Sequence, residues 1–452
     1  MKVTVIGTGY VGLTTGLTLA GVGHDVAGID KDPRKLDLLR SGKSPIHEDG
    51  MDELLAVVKP RVSFSDDLTS AVPDSDVIMI AVGTPPKPNG EADTSFVEAA
   101  AIEVAEAMQA NRRYVVVVKS TVPIGTNKRV AHLIARRLAD RECGATVHVA
   151  SNPEFLREGR ALSDSFYPDR IVLGTLHGEA EQVLYQLYKP LLDQSFAAPH
   201  FLPRPEQQRA PRLITTNPTS AEISKYASNA FLATKISFAN EMAGLCERVG
   251  ADAVQVARVM GLDHRIGQHF LNAGLGWGGS CFPKDTTALQ AVAAEYGYEL
   301  PIIEAARQIN LRQRQAILDK LQSALKVLRG QVIGILGLAF KPGTDDVRDS
   351  AAVAIAQMLI ERGASIRVHD PIAMDNARAI LSGEGIDFCD EPYAVAEGAD
   401  ALLLATEWPL YGELDLRRLA SAMSQPVMVD GRNLLDPELA QRAGFHYQGV
   451  GR

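Results

Sequence analysis

Val3-Thr4-Val5-Ile6 reads as a short buried strand, because apolar and β-branched residues run together and stop at a glycine. Past Gly7, Gly9 and Gly12 an apolar, small-residue run to about Val22 reads as a helix, and Val26 to Ile29 as a second strand ending at Asp30. Further strands are predicted at Val77 to Val82, Val115 to Lys119 and Val147 to Ala150, separated by helical periodicity over about 94–110 and 125–140. This alternation predicts a mostly parallel sheet covered on both faces. From Pro218 to Val249 the pattern becomes one long helix, and it resumes from Ala251 to about Met260. After a Gly-rich interruption at 274–279, helical periodicity continues from Pro283 to about Lys326 with a break near Pro301. Helices of that length connect lobes or build a subunit interface, so a dimer is expected. Alternation then restarts, with strands at Val332 to Leu336, Ile366 to His369, Ala401 to Ala405 and Val427 to Val429 and a helix over 350–362. The expected fold class is α/β, with two lobes of mostly parallel sheet joined by a central helical region. Clefts at the carboxyl ends of such strands are the usual ligand sites.

Composition narrows the function. A chain of 452 residues, 46% hydrophobic and 22% charged, is that of a globular protein with more than one core. With 46 basic against 55 acidic residues the net charge is −9, which disfavours nucleic acid as a partner. Cys143, Cys246, Cys281 and Cys389 are far apart and form no CxxC pair, so neither a disulfide framework nor a metal cluster is expected, and a reducing compartment is. Lys2 and the apolar run after it superficially resemble a secretory signal, but their removal would delete the first strand and its glycines. No stretch has the roughly 20 uninterrupted apolar residues of a membrane span, so a cytoplasmic protein is expected.

Gly7-Thr8-Gly9-Tyr10-Val11-Gly12 fits GxGxxG in the strand, turn and helix context that a dinucleotide requires. Gly7 permits the tight turn, Gly9 leaves room for a pyrophosphate, and Gly12 lets helix and strand approach. The helix amino terminus offers unpaired N–H groups to phosphate. Asp30, 18 residues beyond Gly12, is placed to accept from ribose hydroxyls and to repel the extra phosphate of NADP, whereas Lys31 and Arg34 weaken that exclusion. Both lobes are therefore read as Rossmann-like. In the second, Gly334-Ile335-Leu336-Gly337-Leu338-Ala339 lacks the glycine spacing and is read as carrying no dinucleotide of its own.

Cys281 lies in Gly278-Gly279-Ser280-Cys281-Phe282-Pro283-Lys284-Asp285. Pro283 favours a first helical turn, so the cysteine is expected at or just before a helix amino terminus, where helix N–H groups and Lys284 stabilise a thiolate. The glycines of 274–279 are expected to expose backbone donors and let a ligand lie close. The other three cysteines are read as structural. Lys225 and Asn229 are about one helical turn apart and share a face, a cation and an amide suited to a developing oxyanion, although such a face is more often merely solvated.

Taken together, Gly7 to Gly12, Gly83-Thr84-Pro85, Ser120-Thr121-Val122-Pro123, Asn152-Pro153-Glu154-Phe155-Leu156, Glu222 to Asn229, Gly278 to Asp285, and Ala339-Phe340-Lys341 followed by Arg348 resemble the UDP-glucose 6-dehydrogenases of the UDP-glucose/GDP-mannose dehydrogenase family, over essentially the whole chain. The resemblance implies an NAD-binding domain (1–210), a central helical dimerisation and catalytic region (211–325) and a UDP-sugar-binding domain (326–452). It implies Cys281 as nucleophile, Lys225 and Asn229 facing the oxyanion, Asp285 with Thr121 holding a water, and Glu154 as the base of thioester hydrolysis. Cofactor contacts are implied for Gly7, Gly9, Tyr10, Val11, Gly12, Asp30, Arg34, Thr84, Thr121, Glu158, Lys284 and Arg348. Sugar-nucleotide contacts are implied for Glu154, Phe155, Leu156, Arg157, Lys225, Asn229, Phe270, Gly278, Phe340 and Lys341, and Arg265 is implied to reach a ligand across a homodimer or higher homo-oligomer. The implied reaction oxidises UDP-glucose twice at C6, with GDP-mannose or UDP-N-acetylmannosamine as alternative substrates. Trp277 stands where family members often carry Phe or Tyr, a change that affects the pocket's width.

Overall fold

The computed structural model describes residues 1–452. The chain divides into two compact units, Met1–Ala227 and Ser228–Arg452.

The first unit is built on eight strands: β1 (Lys2–Ile6), β2 (Asp25–Ile29), β3 (Val62–Ser65), β4 (Val77–Ile80), β5 (Arg113–Val118), β6 (Thr146–Ser151), β7 (Arg170–Gly174) and β8 (Arg212–Thr216). They lie in the order β3-β2-β1-β4-β5-β6-β7-β8. All neighbours are parallel except β6 and β7, which run antiparallel. The central strands explain why the sequence reads there as unbroken apolar runs. Successive side chains of a strand point to opposite faces, and Val77 and Met79 enter one core while Ile78 and Ile80 enter the other. Val115 and Val117 are likewise separated from Val116 and Val118. The order reverses between β1 and β4, so the carboxyl ends of these strands form a topological switch point.

The second unit carries six strands, β9 (Val332–Leu336), β10 (Ser365–His369), β11 (Ile386–Phe388), β12 (Ala401–Leu404), β13 (Val427–Asp430) and β14 (His446–Gln448). They are all parallel, in the order β11-β10-β9-β12-β13-β14. This is the doubly wound order 3-2-1-4-5-6. The chain passes from one unit to the other within the helix Pro218–Val249, which starts where Asn217 Oδ1 accepts the Ser220 N–H at 2.8 Å and stops at Gly250, whose φ is +75°. The expected break near Pro301 is the segment 296–300, which separates helices Phe282–Glu295 and Pro301–Leu325. Pro301 opens the second helix because a first-turn residue needs no N–H partner. The periodicity did not predict β3, β8, β11 or β14, which are short or partly exposed and lack a continuous apolar run, nor β7, a short strand whose Ile171-Val172-Leu173 run is buried. No helix is long and apolar enough to cross a membrane.

Candidate functional site

In the first unit the glycine turn follows β1 and opens the helix Tyr10–Gly21, with Gly9 at its N-cap. Gly12 has no room for a side chain, since a Cβ there would lie 1.8 Å from the Gly7 carbonyl oxygen. A Cβ on Gly9 would meet nothing within 4 Å, so the space above the helix amino terminus is open. The first turn carries no acidic residue to compete with a bound anion. Asp30 Oδ2 accepts from the Thr8 N–H at 2.8 Å and the Thr8 hydroxyl at 2.7 Å, and Oδ1 accepts from the Asp32 N–H at 3.0 Å. Burial pushes the Asp30 carboxyl up, but these donors and Lys35 hold it below the usual carboxylate range. It stays ionised, and a carboxylate has lone pairs beyond those the turn uses. These residues fit the adenosine and pyrophosphate of NAD. Arg34 is paired with Asp32 at 3.3 Å and is exposed, so its charge is directed at a neighbour on its own helix. At the ends of β4 and β5, the Thr84 hydroxyl donates to the Thr121 carbonyl at 2.8 Å, which brings those two residues to the switch point. The Tyr10 hydroxyl donates to Glu48 and accepts from the Gly159 N–H at 2.6 Å, tying the glycine turn to the loop that carries Glu158.

The same unit holds a buried charged cluster. Lys225 Nζ lies 2.7 Å from Glu154 Oε1, with side-chain exposures of 4% and 7%. Glu154 Oε2 accepts the Leu156 N–H at 2.6 Å. Burial raises the Glu154 carboxyl, yet Lys225, the Leu156 N–H and Lys119 together bring it below its ordinary value. The Phe155 ring is covered by Arg170, 3.8 Å from its centroid, with Lys225 Nζ at 5.6 Å. Arg157 forks onto Asp164. The sequence reading assigned Lys119, Asn152 and Tyr188 no role of their own, Asn152 entering only as part of the Asn152 to Leu156 motif, although all three are buried here. Lys119 Nζ donates to Asn152 Oδ1 at 2.9 Å, the Tyr188 hydroxyl donates to the same oxygen, and Asn152 Nδ2 donates to the Val172 carbonyl at 2.8 Å. The one signal in the sequence was a lysine closing an otherwise apolar strand.

In the second unit, Cys281 is the N-cap of the helix Phe282–Glu295 and is half-buried. Its Sγ lies 3.5 Å from the Ser280 hydroxyl. Asp285, one turn into the helix and 1% exposed, accepts Asn229 Nδ2 at 2.6 Å and Lys284 Nζ at 2.7 Å. The lysine expected beside the thiolate is thus committed to Asp285. The glycine stretch also differs from expectation. The N–H groups of Gly274, Trp277 and Gly279 go to Asn240 Oδ1, Asn310 Oδ1 and the Arg348 carbonyl, so they are donors to the chain itself. A Cβ on Gly278 would lie 2.3 Å from the Asp349 carbonyl oxygen and one on Gly279 2.7 Å from the Phe340 ring. The space they leave is filled by protein, and residues 274–279 are buried. Trp277 is held from the other side, its ring N–H donating to Ser237 at 2.9 Å.

Of the remaining expected residues, Phe340 and the Arg348 carbonyl border Gly279 and Phe270 lies beside Phe282. Arg265 forks onto Asp263 and is exposed, while Phe270 adopts φ +65° with its ring 6.3 Å from that of Phe282. Lys341 Nζ lies 5.4 Å from the Phe340 ring centroid. The Arg348 side chain pairs with Asp346 at 2.6 Å. Arg432, which sequence reading passed over, donates to the Ala405 and Phe340 carbonyls at 2.9 and 3.1 Å. The second glycine turn is built differently from the first. Asp370, just past β10, accepts the Leu338 and Ala339 N–H groups at 2.8 and 3.0 Å and the Trp408 ring N–H at 3.1 Å. The next helix starts only at Ala351, after the loop 337–350. The turn therefore presents no adjacent helix amino terminus to a pyrophosphate.

Three family models match in order: the NAD binding domain of the UDP-glucose/GDP-mannose dehydrogenase family over residues 1–192, its central domain over 219–312 and its UDP binding domain over 334–437. UDP-glucose 6-dehydrogenase of Rhizobium meliloti is 46% identical, with all of both chains covered. UDP-glucose 6-dehydrogenase TuaD of Bacillus subtilis is 45% identical over all of this chain and 93% of its own. The solved UDP-glucose dehydrogenase of Pyrobaculum islandicum superposes with a TM-score of 0.87 at 43% identity, covering 99% of this chain and 97% of its own.

Proposed function

Since the chain belongs to the UDP-glucose/GDP-mannose dehydrogenase family, we propose that it oxidises UDP-glucose at C6 to UDP-glucuronate in two NAD-dependent steps. Full-length relatives at 45% and 46% identity that bear the name UDP-glucose 6-dehydrogenase support this substrate. The observation that carries the chemistry is Cys281, half-buried at the start of a helix with Asp285 and Asn229 bonded to each other one turn away. Helix N–H groups favour a thiolate there. An enzyme that stopped at the aldehyde would need no nucleophile, whereas one that proceeds to the acid needs a group to hold C6 between oxidations.

NAD, when bound, accepts a hydride from C6 in each oxidation. Cys281 Sγ adds to the aldehyde carbon as a thiohemiacetal and carries it onward as a thioester. Lys225 and Asn229 stabilise the charge on the C6 oxygen, for which Asn229 has a second amide hydrogen besides the one given to Asp285. Asp285 and Thr121 hold the hydrolytic water. Glu154, ionised because Lys225 and the Leu156 N–H outweigh its burial, takes that water's proton as the thioester opens. Gly7, Gly9, Tyr10, Val11, Gly12, Asp30, Arg34, Thr84, Thr121, Glu158, Lys284 and Arg348 are assigned to the cofactor. Phe155, Leu156, Arg157, Phe270, Gly278, Phe340 and Lys341 are assigned to the sugar nucleotide. The functional division is 1–210, 211–325 and 326–452.

A cytoplasmic homodimer is the proposed form, with Arg265 reaching the partner's ligand. Phe231, Phe238 and Leu245 recur every seven residues on the helix Pro218–Val249 and are 65%, 43% and 52% exposed, an apolar stripe of the kind a second helix covers. The test is a panel of UDP-glucose, GDP-mannose and UDP-N-acetylmannosamine with NADH counted per product. Two NADH per uronate from UDP-glucose are expected. Preference for another sugar nucleotide reassigns the substrate, and tight NAD binding without turnover of any of them removes the enzymatic reading.

A further inference from the structure

Lys119 closes β5 with a side chain buried in the first unit, and the reaction as proposed gives it no task. A lysine is rarely this buried unless its charge is used or neutralised. Its Nζ has one direct partner in Asn152 Oδ1 at 2.9 Å, and that oxygen also accepts the Tyr188 hydroxyl. Asn152 is two residues before Glu154, and its amide is fixed to the Val172 carbonyl on β7, so the lysine is coupled to the segment that bears the carboxylate. The charged and titratable groups around it are Glu154, Lys225 on the helix Pro218–Val249, and the Tyr188 hydroxyl on the helix Gly178–Leu192. Two lysines therefore face one carboxylate in a water-poor pocket, leaving an unbalanced positive charge whenever both are protonated.

We propose that Lys119 is a positioning residue for Glu154, which through Asn152 fixes the Asn152–Glu154 segment and through its charge sets how readily the carboxylate takes a proton. The assignment rests on Glu154 being the base of thioester hydrolysis. With Lys119 charged, Glu154 is held ionised but is a weak base. With Lys119 neutral, Lys225 and Glu154 balance each other and the carboxylate becomes more basic. Burial lowers Lys119 to about 8, so this change of state falls within the range where such an enzyme is assayed. Tyr188 is pushed well above its ordinary range by burial and stays a neutral donor throughout.

The test uses full-length enzyme with UDP-glucose and NAD and follows hydrolysis of the acyl-enzyme against pH in single turnovers. K119M and K119Q, both neutral, should move the acid limb of hydrolysis upward by about one pH unit, the size expected from removing a nearby positive charge. K119Q keeps a donor for Asn152 and so serves where K119M does not fold. K119R, which stays charged, should leave the limb at its wild-type pH. In an E154Q background neither neutral variant should shift the profile further. An unmoved limb in K119Q, with the rate lowered equally at every pH, overturns the role of Lys119 and leaves Glu154 as base. Wild-type hydrolysis by E154Q instead removes the base assignment itself.

Discussion

Gly9→Ala and Gly12→Ala alter the same turn by one methyl group and should act in opposite ways. At Gly12 the new Cβ would lie 1.8 Å from the Gly7 carbonyl oxygen and 3.1 Å from Ala81 Cβ. A backbone oxygen in a turn anchored between two strands has no rotamer by which to move aside. Overfilling a filled site costs about 1–3 kcal/mol and more where backbone must shift, while alanine returns only about 1 kcal/mol over glycine in a helix interior. A net loss of about 2 kcal/mol lowers Tm by about 4–8 °C in a unit of this size. At Gly9 the Cβ meets nothing within 4 Å, and φ −75°, ψ −168° accept alanine without strain. The smaller unfolded-state freedom of alanine offsets a slightly poorer cap, so Tm should stay within about 2 °C of the parent. The methyl instead occupies the space above the helix amino terminus, and NAD affinity should fall about tenfold or more, which is about 1.4 kcal/mol. Thermal melts without NAD and calorimetric titration with NAD read the two effects separately. Unchanged NAD affinity in Gly9→Ala, or an unchanged melt in Gly12→Ala, refutes the division of labour within the turn.

Cys281→Ser should bind NAD and UDP-glucose normally in equilibrium titrations yet release almost no uronate, because a hydroxyl lacks the thiolate's nucleophilicity; near-normal acid formation rejects Cys281 as the acyl carrier. Glu154→Gln should slow acyl-enzyme hydrolysis about 100-fold or more while leaving aldehyde formation intact, measured by quenched single turnovers. The folded value of Glu154 lies below its ordinary 4.5, so the unfolded chain binds the proton more readily, and this carboxylate's stabilisation is complete above about pH 4.5 and drains away as pH falls through the folded value. Melting temperature plotted against pH should therefore fall less steeply below pH 4.5 in Glu154→Gln than in the parent. Asp370→Ala leaves the Leu338 and Ala339 N–H groups and the Trp408 ring N–H without their acceptor in a buried turn, and denaturant titration should show the second unit weakened by about 3 kcal/mol or more.

How far each feature was legible depends on the range of the interaction that creates it. The first glycine turn was readable because its glycines keep a fixed spacing: Gly12 closes on the Gly7 carbonyl, Gly9 leaves the space above the helix open, and Asp30 closes the turn by holding Thr8. The position of Cys281 at a helix start followed from Pro283 alone. The glycines of 274–279 were misjudged because what fills the space beside them, Phe340 and the Asp349 carbonyl, arrives from more than 60 residues further along. Lys284 was read toward Cys281, whereas its Nζ lies 2.7 Å from Asp285, the next residue, whose carboxylate also accepts from Asn229 on a distant helix.

The sequence by itself determined the two α/β units, the helix that carries the chain between them, the dinucleotide turn and the cysteine's helical setting, because periodicity, glycine spacing and capping act within a few residues. Only the tertiary structure decided which charges pair, and it alone revealed Lys119. Its contacts with Asn152 and Tyr188 and its proximity to Glu154 and Lys225 depend on β5, β6 and two distant helices converging. A single lysine at the end of an apolar strand carries no mark of the carboxylate it will face.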